Sequence, residues 1–188
     1  MKKVMSLHAF SLSKQLALTA VFAALCLIGT IVITIPLPFG FFNLGDVFVL
    51  LAGWCLGPLY GSLAASIGSS LADIIAGFPI YTPFTFFIKG FEAFTAYMVW
   101  SLLKKFIRKE KLDVIPRVFS AFIGESVMVM GYFGYECLLY GITGALAAVA
   151  GNIFQGVFGL ILATLFTFAL YSIKSLSTFF PYFYEKKE

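Results

Sequence analysis

Between Gln15 and Ile35 the chain runs without one charged side chain, and this stretch narrows the available folds more than any other. As an α-helix rising about 1.5 Å per residue it extends roughly 30 Å, the thickness of a bilayer's hydrocarbon core. It is longer than the apolar core of a typical signal peptide, and no clean small-x-small cleavage site follows it, so it reads as a retained helix. Further apolar runs follow. Of all residues 61% are hydrophobic and 12% charged, whereas about a quarter are charged in a typical soluble domain. So few polar side chains cannot cover a water-soluble globule. The expected fold is an all-α polytopic membrane protein, a single domain over 1–188. Its six transmembrane helices are placed near 15–35, 45–56, 59–76, 83–103, 116–140 and 145–173.

The breaks between these runs have clear causes. Pro36 and Pro38 end the first helix, and an aromatic, glycine-containing loop follows over 39–44. Asn43 is a plausible N-cap of the second helix and Asp46 suits its positive end; contact with a ligand is the alternative for both. Gly57-Pro58 makes a tight turn. The third helix carries two four-residue series of small residues, Gly61, Ala65, Ser69 and Ala64, Gly68, Ala72, the mark of a helix packed on several sides. GFPIYTP at 77–83 joins it to the fourth helix, with Pro83 suited to a first helical turn.

Charge placement sets the orientation. With both termini inside, the inner segments hold Lys2, Lys3, Lys14, the cluster from Lys104 to Lys111, Arg117, Lys174, Lys186 and Lys187. The outer segments hold no Lys or Arg, and Lys89 alone lies within a span, so the positive-inside rule predicts cytoplasmic N- and C-termini. The net charge of +4 is therefore a topology signal and not a nucleic-acid footprint. Cys26, Cys55 and Cys137 each sit alone in apolar surroundings and read as packing. His8 is the single histidine, which argues against His-based triads and multi-His metal centres. No G-x-x-x-x-G-K-[ST] or H-E-x-x-H motif is present, and neither a metal nor a cofactor is expected.

Charged groups inside a bilayer face a cavity or each other, because isolated ones cost several kcal/mol. Here Asp46, Asp73, Lys89, Glu92, Glu125, Asn152 and Gln155 fall in the outer half or at mid-depth. Lys89 and Glu92, at i and i+3, can simply neutralise one another. Alternatively they line an outward-open cavity with Glu125, Asn152 and Gln155, whose amides offer paired donors and acceptors for a planar heterocycle. Tyr81, Phe84, Tyr132 and the 39–42 loop are placed to stack on it. On the first helix, Ala17, Ala20 and Ala24 form a stripe that suits either internal packing or a partner protein.

FNLGD at 42–46, LAGWCLGPLYGSLAASIGSSLADIIAGFPIYTPFTFFIKGFEA at 51–93 and the alanine-rich first helix resemble the S components of energy-coupling factor (ECF) vitamin transporters. The branch it most resembles holds riboflavin-type, hydroxymethylpyrimidine and pyridoxine S components. The resemblance implies a six-helix substrate-binding subunit of a bacterial cell membrane, capped by the loops after helices one, three and five. It implies docking to a transmembrane T component on two ABC-type ATPases, so that ATP is hydrolysed by partners and not by this chain. Ala20 and Ala24 match the family's Ala-x-x-x-Ala docking pattern, and Ala17 extends it. A small hydroxymethylated heteroaromatic, pyridoxine or hydroxymethylpyrimidine, is the favoured ligand. Two other readings stay open: an assembly subunit whose buried charges only pair, and a small membrane enzyme using Asp73, Glu92 or Glu125 as acid–base groups.

Overall fold

A computed structural model describes residues 11–32, 34–37, 40–107, 113–173, 179–180 and 183, with the backbone alone at 34–37 and 40–42. Lys2, Lys3, His8, Arg108 to Lys111, Lys174, Lys186, Lys187 and the side chains of the 39–42 loop lie outside the described residues. The chain order is α1 (Leu12–Ile31), β1 (Thr34–Leu37), β2 (Gly40–Asn43), α2 (Gly45–Ile75), α3 (Thr82–Lys104) and α4 (Val114–Ser172).

The first helix is shorter than its apolar run. α1 begins behind Ser11, whose hydroxyl accepts from the Lys14 N–H at 3.4 Å, and it stops at Ile31 and not at Ile35. Val32, Thr34 and Ile35 are β-branched, and the residue before Pro36 is pushed away from helical dihedrals. The chain turns instead into an antiparallel hairpin, pairing Thr34 with Asn43 and Leu37 with Gly40. The fold is thus helical with one small two-stranded sheet, and β2 delivers Asn43 directly to the start of α2.

Two glycines divide the long helices. Gly57 has φ 82 and ψ −175, and Gly141 has φ 71 and ψ 173. These dihedrals cost a side-chain-bearing residue dearly, and they reverse the chain within α2 and α4. Pro58 then occupies a first helical turn, where its missing N–H is harmless. Six helical segments result, 12–31, 45–56, 58–75, 82–104, 114–140 and 142–172, close to the expected boundaries after the first.

α2 is the centre of the bundle, packed on α1, α3 and α4. Leu50, Trp54 and Cys55 are fully buried in its first half. All six residues of the two small-residue series in its second half are buried. Elsewhere the large apolar side chains point outward: Leu16 and Ile28 on α1, Phe87 and Phe91 on α3, Phe122 and Phe154 on α4. An apolar exterior around an interior with charged groups suits a lipid surround. Among the described residues three helices, α1, α2 and α4, are long and apolar enough to cross a membrane; α3, with Lys89, Glu92 and Lys104, is not among them.

Candidate functional site

Six polar side chains brought by β2, α2, α3 and α4 meet inside the bundle. Lys89 lies about two turns into α3. Its Nζ donates to Asp46 Oδ1, from the first turn of α2, and to Glu92 Oε2 at 2.9 Å, one turn along α3. Gln155 Nε2 donates to Asp46 Oδ2 at 2.7 Å, and Asn43 Nδ2 donates to Gln155 Oε1 at 2.7 Å. Asn43 Oδ1 in turn accepts from the backbone N–H of Gly45 at 2.8 Å. Asn43 thus both tethers the start of α2 and reaches α4. Leu44, not Asn43, stands at the N-cap position of α2 and has no side-chain cap bond; Asn43, one residue earlier, holds the helix start through its contact with Gly45.

Glu125 completes the group from the first half of α4. Oxygens of Asp46, Glu92 and Glu125 lie within 4.8 Å of one another, and none of the six residues is more than 7% exposed. Three carboxylates therefore surround one ammonium. Both Glu125 oxygens and Glu92 Oε1 are buried without a hydrogen-bond partner among the described residues. As a divalent-cation site the trio is poor. The Lys89 ammonium already bridges two of the carboxylates and supplies the positive charge there.

An aromatic wall stands next to this cluster. The Tyr132 ring lies 5.7 Å from Lys89 Nζ, and its hydroxyl is 3.0 Å from that of Thr85. Half-buried Asp73 stands beside Thr85. Tyr81 meets Tyr135 edge-on at 5.4 Å, and Phe84 stacks on Tyr135 at 3.9 Å. The Tyr135 hydroxyl donates to the Ile80 carbonyl at 2.5 Å, and Tyr81 donates to the Tyr140 hydroxyl at 3.3 Å. The 77–81 turn is thereby fastened to the first half of α4. Asn152 stands apart from Gln155, with Nδ2 3.5 Å from Glu136 Oε2.

A second buried polar centre lies where α3 ends and α4 begins. Arg117, fully buried, has its guanidinium carbon 4.0 Å from the ring centre of Phe183, 4.7 Å from Trp100 and 5.1 Å from Trp54. Its Nε donates to Asp113 at 2.7 Å, and Nη2 to the Tyr171 hydroxyl at 3.1 Å. Asp113 also takes Lys104 Nζ at 2.9 Å, Trp100 Nε1 at 3.2 Å and the Tyr171 hydroxyl. Burial alone would lift the Asp113 carboxyl; the Arg117 charge and these donors outweigh it and hold its pKa below the ordinary value.

The structure brings together Asn43, Asp46, Lys89, Glu92, Glu125 and Gln155, with Tyr132, Tyr81 and Asp73 close by and Asn152 one turn away. The groups expected to line an open cavity are closed in against each other. Asp46 is the partner of Lys89 that the i, i+3 spacing on α3 does not reveal. Thr85, Tyr135, Glu136 and Tyr140 were not singled out by sequence; the clustering of Tyr132, Tyr135 and Tyr140 along α4 was the available signal. Ala17, Ala20 and Ala24 are all exposed, whereas α1 packs inward through Thr19, Phe22, Cys26 and Gly29, so the stripe does not serve packing within this chain. A surface groove of about 340 Å³ between the second half of α2 and α3 is lined by Leu59, Leu63, Phe87, Phe91 and Phe94 and offers little polar chemistry.

Comparison with known proteins gives four findings. Residues 11–172 match the family described as ECF-type riboflavin transporter, S component. An uncharacterised Pyrococcus woesei protein from the region 3′ of gap is 34% identical over 135 residues, 71% of this chain and 85% of that one. The thiamine precursor transporter HmpT of Lactococcus lactis is 29% identical over 153 residues, 80% of this chain and 83% of that one. Among solved structures, the S component of a bacterial ECF transporter superposes with a TM-score of 0.66 at 21% identity, over 87% of this chain and 99% of that one, a likeness of fold.

Proposed function

The chain belongs to the family of ECF-type riboflavin transporter S components, and on that premise we propose that it captures a small water-soluble vitamin or vitamin precursor at the outer membrane face. The observation that carries the reading is the buried polar cluster of Asn43, Asp46, Lys89, Glu92, Glu125 and Gln155 within an otherwise apolar bundle. It draws on α2, α3 and α4 at once, so a ligand bound there ties three helices together. Donor and acceptor amides beside carboxylates, flanked by tyrosine rings, suit a flat heteroaromatic. The Lactococcus relative, a thiamine precursor transporter, supports hydroxymethylpyrimidine, with pyridoxine as the other favoured ligand.

In this reading the six helical segments are six spans with both termini cytoplasmic, and the 77–81 turn lies at the outer rim. The exposed Ala17, Ala20 and Ala24 stripe docks on a T component, and two ABC ATPases hydrolyse the ATP. The chain itself binds and carries, without catalysis. The Lys89 pairs with Asp46 and Glu92 favour one competitor, an assembly subunit whose charges merely satisfy each other. Native mass spectrometry of the detergent-purified chain, with identification of the released small molecule, separates the two. A stoichiometric vitamin supports the proposal. An empty protein that also shows no thermal shift with a panel of B vitamins rejects it in favour of the assembly role.

A further inference from the structure

We propose that Glu125 reads the ligand, selecting a flat heteroaromatic with an amino group next to a ring nitrogen: a cyclic amidine of the aminopyrimidine type. The inference deepens the vitamin-binding reading above and rests on it.

Hydrogen-bond accounting within the cluster is lopsided. Asn43, Asp46, Lys89, Glu92 and Gln155 each have at least one partner. Glu125, 5% exposed, has none for either oxygen among the described residues, and Glu92 Oε1 lacks one too. Every deficit is an acceptor, so the site calls for donors or protons. A buried polar group left unsatisfied in a native structure demands an explanation.

The surroundings of Glu125 explain why the chain itself does not answer. Its carboxyl lies against a bare face of α4: a Cβ at Gly156 would stand 3.1 Å from Oε2, and one at Gly159 would stand 2.5 Å from Oε1. A side chain at 159 would displace the carboxyl and one at 156 would crowd it, and the backbone N–H groups there are spent within the helix. That face gives the carboxyl room without a donor. The Tyr132 ring and the tyrosine wall beside Lys89 supply flat apolar surface on which a heterocycle can lie.

Two oxygens side by side match two adjacent nitrogens of an aminopyrimidine edge. With the proton on the ring nitrogen, the amino group donates to one carboxylate oxygen and the ring N–H to the other, so both acceptors of an ionised Glu125 are met. This is the fork geometry that makes bidentate carboxylate pairs strong and selective. A ring with a carbonyl in place of the amino group keeps its ring N–H donor but sets its carbonyl against the second carboxylate oxygen, and so loses half of the pair and gains a repulsion. A lone hydroxyl, as on a pyridine, satisfies one oxygen only. A metal ion is a poorer answer, because Lys89 already places a positive charge between Asp46 and Glu92.

The test is calorimetric titration of the full purified chain with four compounds: amino-bearing hydroxymethylpyrimidine, its analogue with oxygen replacing the amino group, pyridoxine and riboflavin. The amino compound is expected to bind tightest, and its oxo analogue about 10²-fold or more weakly, as for other sites built to bond a specific polar group. Glu125→Gln presents a donor where an acceptor stood, so the ratio should narrow or invert, a change that a purely structural role does not produce. Equal affinity of the amino and oxo compounds for the unaltered chain overturns the inference, with no variant required. An unchanged ratio in Glu125→Gln overturns it as well. Binding of pyridoxine or riboflavin with no response to the amino compound overturns the role of Glu125 while leaving a vitamin-binding subunit standing. Silence from all four overturns the inference, and the vitamin-binding reading falls with it where the protein is also empty and unresponsive to the panel of B vitamins.

Discussion

Replacing Lys89 with Met removes the one ammonium that faces the three carboxylates. Asp46 keeps its bond from Gln155, but Glu92 Oε2 loses its donor and joins Oε1 as an unpartnered buried atom. At an effective dielectric constant of about 20, a charge contact of 2.9 Å is worth about 6 kcal/mol of gross attraction. Most of that offsets desolvation, and removing one partner of a buried pair typically costs about 3–5 kcal/mol. For a chain of this size each kcal/mol moves the unfolding midpoint by about 2–4 °C. Lys89→Met should therefore lower the midpoint by about 6–20 °C, read by thermal unfolding of the purified protein in detergent. The companion variant Lys89→Met with Asp46→Asn and Glu92→Gln deletes the stranded charges and should recover most of the loss. A single variant within about 2 °C of the unaltered chain, or a companion with no recovery, would refute the account of the cluster as one coupled ionic unit.

Other expectations concern separate parts of the molecule. Gly159→Ala forces a methyl group to within 2.5 Å of Glu125 Oε1 and 2.9 Å of the Asp46 side chain; it should cost about 1–3 kcal/mol by overpacking, seen as a lower midpoint together with weakened ligand binding. Ala20→Trp and Ala24→Trp should block co-purification with the T component and ATPases while leaving ligand binding intact, and assembly that survives both would exclude the stripe as the docking face. Arg117→Lys loses the planar guanidinium among four aromatic rings and should cost about 2 kcal/mol; the chain's two tryptophans, Trp54 and Trp100, both border it, so their emission should shift with it. Asp113 has a lowered folded-state pKa, so its contribution to stability is complete above its unfolded value of about 3.9 and is lost as pH falls below it; Asp113→Asn should flatten the acid limb of the pH–stability profile, and an unchanged limb would show that another carboxyl dominates it.

Much of the architecture could be read from the chain because membrane helices are marked by length and breakers. The Gly57-Pro58 and Gly141 reversals lie where small, turn-forming residues interrupt apolar runs, and the two small-residue series of α2 are buried as their spacing indicated. The error at 32–35 has a plain cause. Apolarity alone cannot separate a helix end from a short strand, and the β-branched residues before Pro36 carried that information. The site was legible as a set of residues and not as a set of pairs. Lys89–Glu92 follows from spacing within one helix, but Asp46–Lys89 and Asn43–Gln155 join residues 43 and 112 positions apart, a matter of tertiary packing. Arg117 was hidden for another reason: in sequence it is one more inner-side positive charge, and only the convergence of Trp54, Trp100, Tyr171 and Phe183 turns it into a buried centre.

That convergence bears on the order in which the protein is made. Trp54 emerges early in synthesis, Trp100 and Arg117 midway, and Tyr171 and Phe183 late. Until translation passes residue 183 the guanidinium has only part of its surround, and its bond to the Phe183 carbonyl cannot form. The helices can enter the membrane one after another, yet the Arg117 end of the bundle becomes whole in a single late step. A chain ended before that step leaves the guanidinium without the Phe183 ring and without the Phe183 carbonyl.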